Sequence, residues 1–567
     1  MKYANRYYFK QLALSLLLPV ILTSLVSTAA ARPLRSDDEL TAAIHELLEK
    51  TYKADEPGAA VIVVKDGKTI FRKGYGKANL ELGVPIEPDM IFRIGSITKQ
   101  FTAVAILMLA ERGKLSLDDD FTKYLPDYPA KGQKITIAQL LNHTSGIKSY
   151  TSLPEWRALW RKDLSLNELI DTFKDKPMDF APGEKWSYNN SAYVLLGAII
   201  EKVSGQSYKD FVEKQIFAPL GMKHSFYDDT TRVIPRRVPG YSKGADGWVN
   251  APYLSMSHPH AAGALVSSVD DLAIWDAALY TDKLLKQETL KQAWTPLKLN
   301  NGKPLRYGFG WTVNTYEGHR VISHGGGING FITYALRMPD DRVFVSVLTN
   351  KDSGNPGPDD IALKIAALVI GKPQKEPVVI SLPPDALDQY VGVYQLDEKE
   401  DAVVRREGDK LFISMPGAGK FEIAPMSETE FFVKGPPIRL SFTKDKTKGV
   451  TALTLRDRYS PDRDAVKTDK PLPAARQFIS LDPAIYDRYA GEYELSPGLI
   501  LTVSRDGDKL MAQGTGQPKI QLWPESQTKF YVKEIDAQVE FVVDGSGKAT
   551  SLLFQQGPQK LTAKRVK

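Results

Sequence analysis

The chain has 567 residues, 43% hydrophobic and 25% charged, a globular composition with material for several domains. It contains no cysteine, which excludes disulfides, a thiol nucleophile and thiolate metal ligands. A formal charge of +6 without a dense basic cluster argues against a nucleic-acid partner.

Lys2, Arg6 and Lys10 precede an apolar run from Leu12 to Val26, followed by the small residues Ser27-Thr28-Ala29-Ala30-Ala31. The run is shorter than the roughly 20 residues that span a bilayer. Residues 1–31 therefore read as a cleaved secretory signal, and the mature protein as secreted or periplasmic. No cysteine follows the run to carry a lipid anchor, and no later stretch is apolar enough to span a membrane. Removing the three basic residues of the signal leaves a charge of about +3.

The mature chain opens with an amphipathic helix, Asp37 to Thr51. A hairpin follows, from Ala59 to Val64, through the turn Lys65-Asp66-Gly67-Lys68, to Thr69–Tyr75. Ser96 to Arg112 reads as a long apolar helix ended by Gly113. Helices and loops continue to about Leu285, with an apolar helix from Tyr193 to Ile200. Three strand-like runs come next: Arg320–Ser323, Phe331–Met338 and Val343–Leu348. A last helix covers Asp359–Ile370. Strands at both ends with helices between predict an α+β domain over residues 37–371, an antiparallel sheet covered by helices.

Past the linker Gly371–Pro384 helices vanish and short alternating strands take over. Tyr390-Val-Gly-Val-Tyr394 matches Tyr489-Ala-Gly-Glu-Tyr493. Gly408-Asp-Lys-Leu411 matches Gly507-Asp-Lys-Leu510, and Phe431-Phe-Val-Lys434 matches Phe530-Tyr-Val-Lys533. All three pairs share an offset of 99 residues. Two copies of one small all-β barrel, lipocalin-like or a sandwich, are expected over 385–466 and 480–567, joined by a linker near Lys467–Arg476.

Chemistry concentrates at three places. In Gly95-Ser96-Ile97-Thr98-Lys99 a serine and a lysine three apart at a helix start share one face. A serine hydroxyl is a poor nucleophile until a base takes its proton, and a lysine serves as that base once burial lowers its pKa. Backbone N–H groups at the helix start favour a developing oxyanion. In Trp186-Ser187-Tyr188-Asn189-Asn190, Tyr188 can shuttle a proton to a leaving group and later activate water. Asn190 can hold the lysine and a substrate amide. His324-Gly325-Gly326-Gly327 ends a strand-like run that can line a site and lend a backbone N–H. The lipase reading of that run fails for want of a Gly-x-Ser-x-Gly elbow. A nucleotide cofactor is not expected either, because strand rather than helix follows Gly325, Gly327 and Gly330. His258-x-His260 lacks a third ligand, so no metal is expected.

Together, in this order, the three motifs resemble those of the penicillin-binding protein and class C β-lactamase family of serine hydrolases. Supporting stretches are Ala138-Gln-Leu-Leu-Asn-His-Thr-Ser-Gly-Ile147, Pro219-Leu-Gly-Met222, Ala262-Gly-Ala-Leu-Val-Ser-Ser268 and Tyr307-Gly-Phe-Gly-Trp311. The resemblance covers about Leu40 to Ile370, and the layout with two β repeats is similar to the family's D-stereospecific aminopeptidases. It implies a helical subdomain beside the helix-covered sheet, with the site between them. It further implies Ser96 as nucleophile, Lys99 and Tyr188 as acid–base groups, and Asn190, His324, Gly326 and Gly327 along the substrate, with the N–H groups of Ser96 and Gly327 as oxyanion hole. The implied reaction is hydrolysis of an amide or ester through an acyl-enzyme, in small peptides containing D-amino acids or in peptidoglycan-like substrates. β-Lactamase or esterase activity, and penicillin or peptidoglycan binding without turnover, are the alternatives. One departure matters. The β-lactamases typically carry Lys-Thr-Gly at the third motif to grip a substrate carboxylate, whereas a mostly neutral imidazole and a glycine at His324-Gly325-Gly326 weaken that grip. The residues leave open whether Lys99 or Tyr188 takes the first proton, and the oligomeric state. The repeats hold no catalytic set, and their glycine-rich loops 415–420 and 514–518 are the parts expected to reach the site.

Overall fold

Alternation along the first hairpin sets the layers. The computed structural model describes residues 37–567 except 131, 245, 375–376, 398–399, 416–418, 436–437, 446, 457–461, 475–476, 497–498, 516–518, 534–536 and 557–558. The signal expected over residues 1–31 and the tips of both glycine-rich loops lie outside the described residues. Strands β1 (Ala59–Lys65) and β2 (Lys68–Tyr75) meet at Asp66 and Gly67, both at positive φ, 52° and 76°. This is the demand of a two-residue hairpin turn, and glycine meets it without strain. Ala59, Val61 and Val63 join one core while Ala60 and Ile62 join another on the opposite face.

The sheet is completed by β3 (Thr312–Tyr316), β4 (His319–Ile328), β5 (Phe331–Met338) and β6 (Val343–Thr349). Its order is β3-β4-β5-β6-β1-β2, antiparallel throughout, so both ends of the domain's sequence meet where Ala59 pairs with Thr349. Helices α1 (Asp37–Thr51) and α5 (Pro358–Val369) cover one face. On the other lies a helical subdomain whose central helices, α2 (Thr98–Glu111) and α3 (Asn190–Ser204), are buried along most of their length. This is the expected α+β architecture.

Several details differ from the sequence reading. The helix expected from Ser96 begins at Thr98, and Ser96 occupies a separate 3-10 turn, Gly95–Ile97. Strand β3 was not foreseen: its half-buried, mixed sequence has no clean alternation. Strand β4 continues through the three glycines to Ile328, because β5 pairs with it across Gly325, Gly326 and Gly327.

Two closed eight-stranded antiparallel barrels follow, over residues 392–468 and 491–565. Helices do not vanish there. A short helix, Pro384–Asp388, leads into the first barrel and a 3-10 turn, Pro483–Arg488, into the second, one repeat length apart. The strand Arg463–Thr468 also occupies the start of the linker expected from Lys467. The repeated tyrosines explain themselves. Tyr394 Oη donates to the Tyr390 carbonyl at 2.6 Å and Tyr493 Oη to the Tyr489 carbonyl at 2.7 Å. Tyr390 and Tyr489 donate to the carbonyls of Glu428 and Gln527. Their rings pack on Phe431 with Phe442, and on Phe530 with Phe541, so each barrel is filled by side chains.

Removing one of these hydroxyls leaves a buried carbonyl without its donor, at a cost of about 1–3 kcal/mol. Tyr394→Phe and Tyr493→Phe are each expected to lower hydrogen-exchange protection in their own barrel and leave the other barrel unchanged. Equal loss in both barrels would show that the rings do not fold independently.

Candidate active site

Lys99 is wholly buried on the first turn of α2. Its Nζ lies 3.1 Å from Ser96 Oγ, 2.8 Å from Asn190 Oδ1 and 2.8 Å from the Ala262 carbonyl oxygen. Burial holds its pKa well below the usual ammonium range. Among the described residues no carboxylate pairs with it. A neutral amine fits these three neighbours: two N–H groups donate to Asn190 and Ala262, and the lone pair accepts the Ser96 hydroxyl proton.

Three segments build this contact. The turn Gly95–Ile97 presents Ser96 ahead of α2. Asn189 caps α3 by accepting the Ala192 N–H at 2.9 Å, which sets Asn190 in the first turn. Asn190 Nδ2 donates to Thr151 Oγ1 at 3.1 Å, leaving Oδ1 for the lysine. Ala262 belongs to the one-turn helix α4 (His260–Gly263), held to α2 where Thr102 Oγ1 donates to the Ala261 carbonyl at 2.6 Å.

Beyond Ser323, where pairing with β3 ends, β4 borders the serine turn. A Cβ on Gly326 would stand 2.0 Å from the Ile94 carbonyl oxygen, and one on Gly95 3.0 Å from Gly327 N. Gly95 also has a φ of 50°. The glycines thus bring the Gly327 amide against the Ser96 turn, a proximity that side chains would forbid.

Tyr188 lies with its ring 4.7 Å from Lys99 Nζ. Its hydroxyl is sealed from solvent and makes no well-formed hydrogen bond among the described residues. Burial raises its pKa, so it is a neutral phenol, although Ser96 stands near enough to oppose the shift. His324 Nδ1 is 2.6 Å from the Gly325 carbonyl and Nε2 2.8 Å from Tyr307 Oη. A neutral ring satisfies both, donating from Nδ1–H and accepting the tyrosine proton at Nε2. Burial takes the His324 pKa down to about 3.

The structure therefore gathers Ser96, Lys99, Tyr188, Asn190, His324, Gly326 and Gly327 around one point. The sequence reading had no role for the Ala262 carbonyl, Tyr307 or His143, although all three lie in stretches it singled out. His258 and His260 are buried, and among the described residues no cluster of three or more ligand-type side chains is arranged to hold a metal.

The first barrel touches the loops behind this site. Arg306, next to Tyr307, pairs with Asp462 at 2.5 Å, Lys303 with Asp464 at 3.4 Å, and Lys185, three residues before Tyr188, with Asp397 at 3.9 Å. An exposed pair such as Lys185–Asp397 contributes at most about 1 kcal/mol, while Arg306–Asp462 is half-buried. The tips of the glycine-rich loops expected to reach the site lie outside the described residues.

Residues 40–369 match the model of the beta-lactamase family. The chain belongs to this family of serine hydrolases. Residues 376–469 and 475–565 each match a domain of unknown function (DUF3471), in agreement with the repeat. Penicillin-binding protein 4* of Bacillus subtilis is 30% identical over 452 residues, covering 75% of this chain and 98% of that protein. Among solved structures, the octameric penicillin-binding protein homologue from Pyrococcus abyssi aligns with a TM-score of 0.54 at 28% identity, over 76% of this chain and 100% of that one. A D-stereospecific amidohydrolase from Streptomyces sp. aligns with a TM-score of 0.50 at 30% identity, over 57% and 97%.

Between its lowered folded pKa and an unfolded value of about 10.4, Lys99 is neutral in the fold and protonated in the unfolded chain. The unfolded state then binds the extra proton, so this residue's contribution to stability improves as pH rises through that window. Lys99→Met removes the cost of burying the amine. It is expected to raise the melting temperature of the hydrolase domain at pH 7, by more than at pH 10. A lower midpoint at pH 7 would mean that the amine's hydrogen bonds outweigh its burial.

Proposed function

We propose that this family member is an exported hydrolase of amides and esters that carry no carboxylate beside the scissile bond, of the D-amino-acyl or small-peptide type, working through an acyl-enzyme on Ser96. The observation that carries the reading is the buried, carboxylate-free amine of Lys99 in contact with Ser96 Oγ, with burial lowering its pKa. In this reading Lys99 Nζ takes the Ser96 proton as Oγ attacks the carbonyl carbon. The tetrahedral oxyanion is held by the N–H groups of Ser96 and Gly327. When the C–N or C–O bond breaks, the Tyr188 phenol gives its proton to the leaving amine or alcohol and regains one from the Lys99 ammonium. Water then attacks the acyl-serine by the reverse relay, releasing the acid and restoring the Ser96 hydroxyl. The raised pKa of Tyr188 keeps its proton in place until the leaving group takes it, and the lowered pKa of Lys99 leaves its amine free for the first deprotonation.

The substrate class rests on His324. A neutral imidazole with both nitrogens engaged offers a substrate carboxylate no cation, which favours substrates without one over β-lactams and C-terminal peptides. The likeness to a D-stereospecific amidohydrolase supports D-amino-acyl substrates. The basic, apolar and small-residue succession over residues 1–31 supports export.

A panel of p-nitrophenyl butyrate, D-phenylalanine p-nitroanilide and a chromogenic cephalosporin tests this. The ester or the anilide is expected to turn over and the cephalosporin to lag far behind. Ser96→Ala and Lys99→Ala are each expected to lose several orders of magnitude, since nucleophile and base act as one unit. Cephalosporin hydrolysis exceeding both others, or full activity in Ser96→Ala, would overturn the reading.

A further inference from the structure

His143 is buried at a positive φ of 65°, in a stretch to which the reaction above assigns nothing. Its backbone carbonyl accepts the Ser187 N–H at 3.0 Å and its ring Nδ1 accepts the Asn189 N–H at 3.2 Å. One residue thus binds the chain on both sides of Tyr188. With Nδ1 an acceptor, the ring is neutral and carries its proton on Nε2. That nitrogen is sealed from solvent and has no hydrogen-bond partner among the described residues. The ring lies 4.4 Å from the Tyr188 ring and 4.6 Å from that of Tyr307, wedged between the two tyrosines nearest His324. The left-handed backbone has a use here. In it the carbonyl and the ring of a single residue address the same neighbouring segment.

We propose that His143 is the positioning residue of Tyr188: it clamps residues 187 and 189 and backs the phenol with its ring. The inference rests on Tyr188 acting as the proton shuttle. The Tyr188 hydroxyl makes no well-formed hydrogen bond among the described residues, so its place is set through its ring and backbone, and small misplacement of such a group is costly to rate.

The test uses the full-length protein with p-nitrophenyl butyrate. His143→Ala is expected to lower kcat on the order of ten- to a hundredfold with little change in KM. His143→Asn places an amide oxygen where Nδ1 stood and tolerates the positive φ, so it is expected to recover most of the loss. His143→Gln, with its oxygen at the Nε2 position, is expected not to. Tyr188→Phe lowers kcat, and adding His143→Ala to it should lower kcat no further, because the two act through one group. A general packing role would instead make the losses multiply. Should His143→Ala fail to fold, the Asn-over-Gln order decides in its place. Wild-type kcat in His143→Ala, multiplying losses, or Gln equal to Asn would overturn the inference. Wild-type kcat in Tyr188→Phe would instead remove the shuttle itself and leave His143 without a reaction to serve.

Discussion

The centre of the molecule is organised by one demand, that a lysine amine be buried without a counter-ion. Such a group is tolerated only if it is uncharged and its hydrogen-bonding capacity is met. Meeting it takes three segments far apart in sequence, the serine turn with α2, the first turn of α3 and the carbonyl of α4, each fixed by contacts of its own. The Asn189 cap sets where α3 begins, Thr151 decides which end of the Asn190 amide faces the lysine, and Thr102 ties α4 to α2. Tyr208 Oη shares a 2.7 Å hydrogen bond with Thr102 Oγ1, so the same network runs on into the helical core. Chemistry and packing are therefore one arrangement here, since the core that buries Lys99 is also what makes it a base.

The second shared theme is charge neutrality around the reacting atoms. Lys99, Tyr188, His143 and His324 all have their pKa values displaced toward the neutral form, chiefly by burial. A site of this kind does not attract ions by its field. Its recognition of a ligand then falls to shape and to hydrogen bonds. Charge gathers at the seam with the first barrel, where three cations of the hydrolase domain meet three carboxylates.

Much of this was legible in the sequence because it is carried by side-chain identity at fixed spacing. Ser96 with Lys99, Tyr188 with Asn190, and the glycine run after His324 named the groups that the fold brings together. The 99-residue offset foretold two equal barrels. What escaped was what side chains do not encode. The Ala262 carbonyl is a backbone atom, and any residue supplies one. His143 acts through a left-handed backbone and a tautomer, neither written in its letter. The 3-10 turn at Ser96 looks like the helix that follows it, because both conformations lie close together in φ and ψ. Strand β3 is partly solvent-facing, and pairing with β4 rather than its own pattern makes it a strand.

Each barrel seals its first strand to its own last one, residues 392–395 against 463–468 and residues 491–496 against 559–565. Two near-copies of one strand pattern on one chain invite exchange of partners, a hazard of tandem repeats. Self-closure answers it by topology. A sealed ring offers no free edge to a sister ring, and on a growing chain every strand of the first ring emerges before any strand of the second. Duplication of such a module is therefore an addition that the existing fold does not have to accommodate, which is how a hydrolase can lengthen by a whole repeat without its sheet or its site being rebuilt.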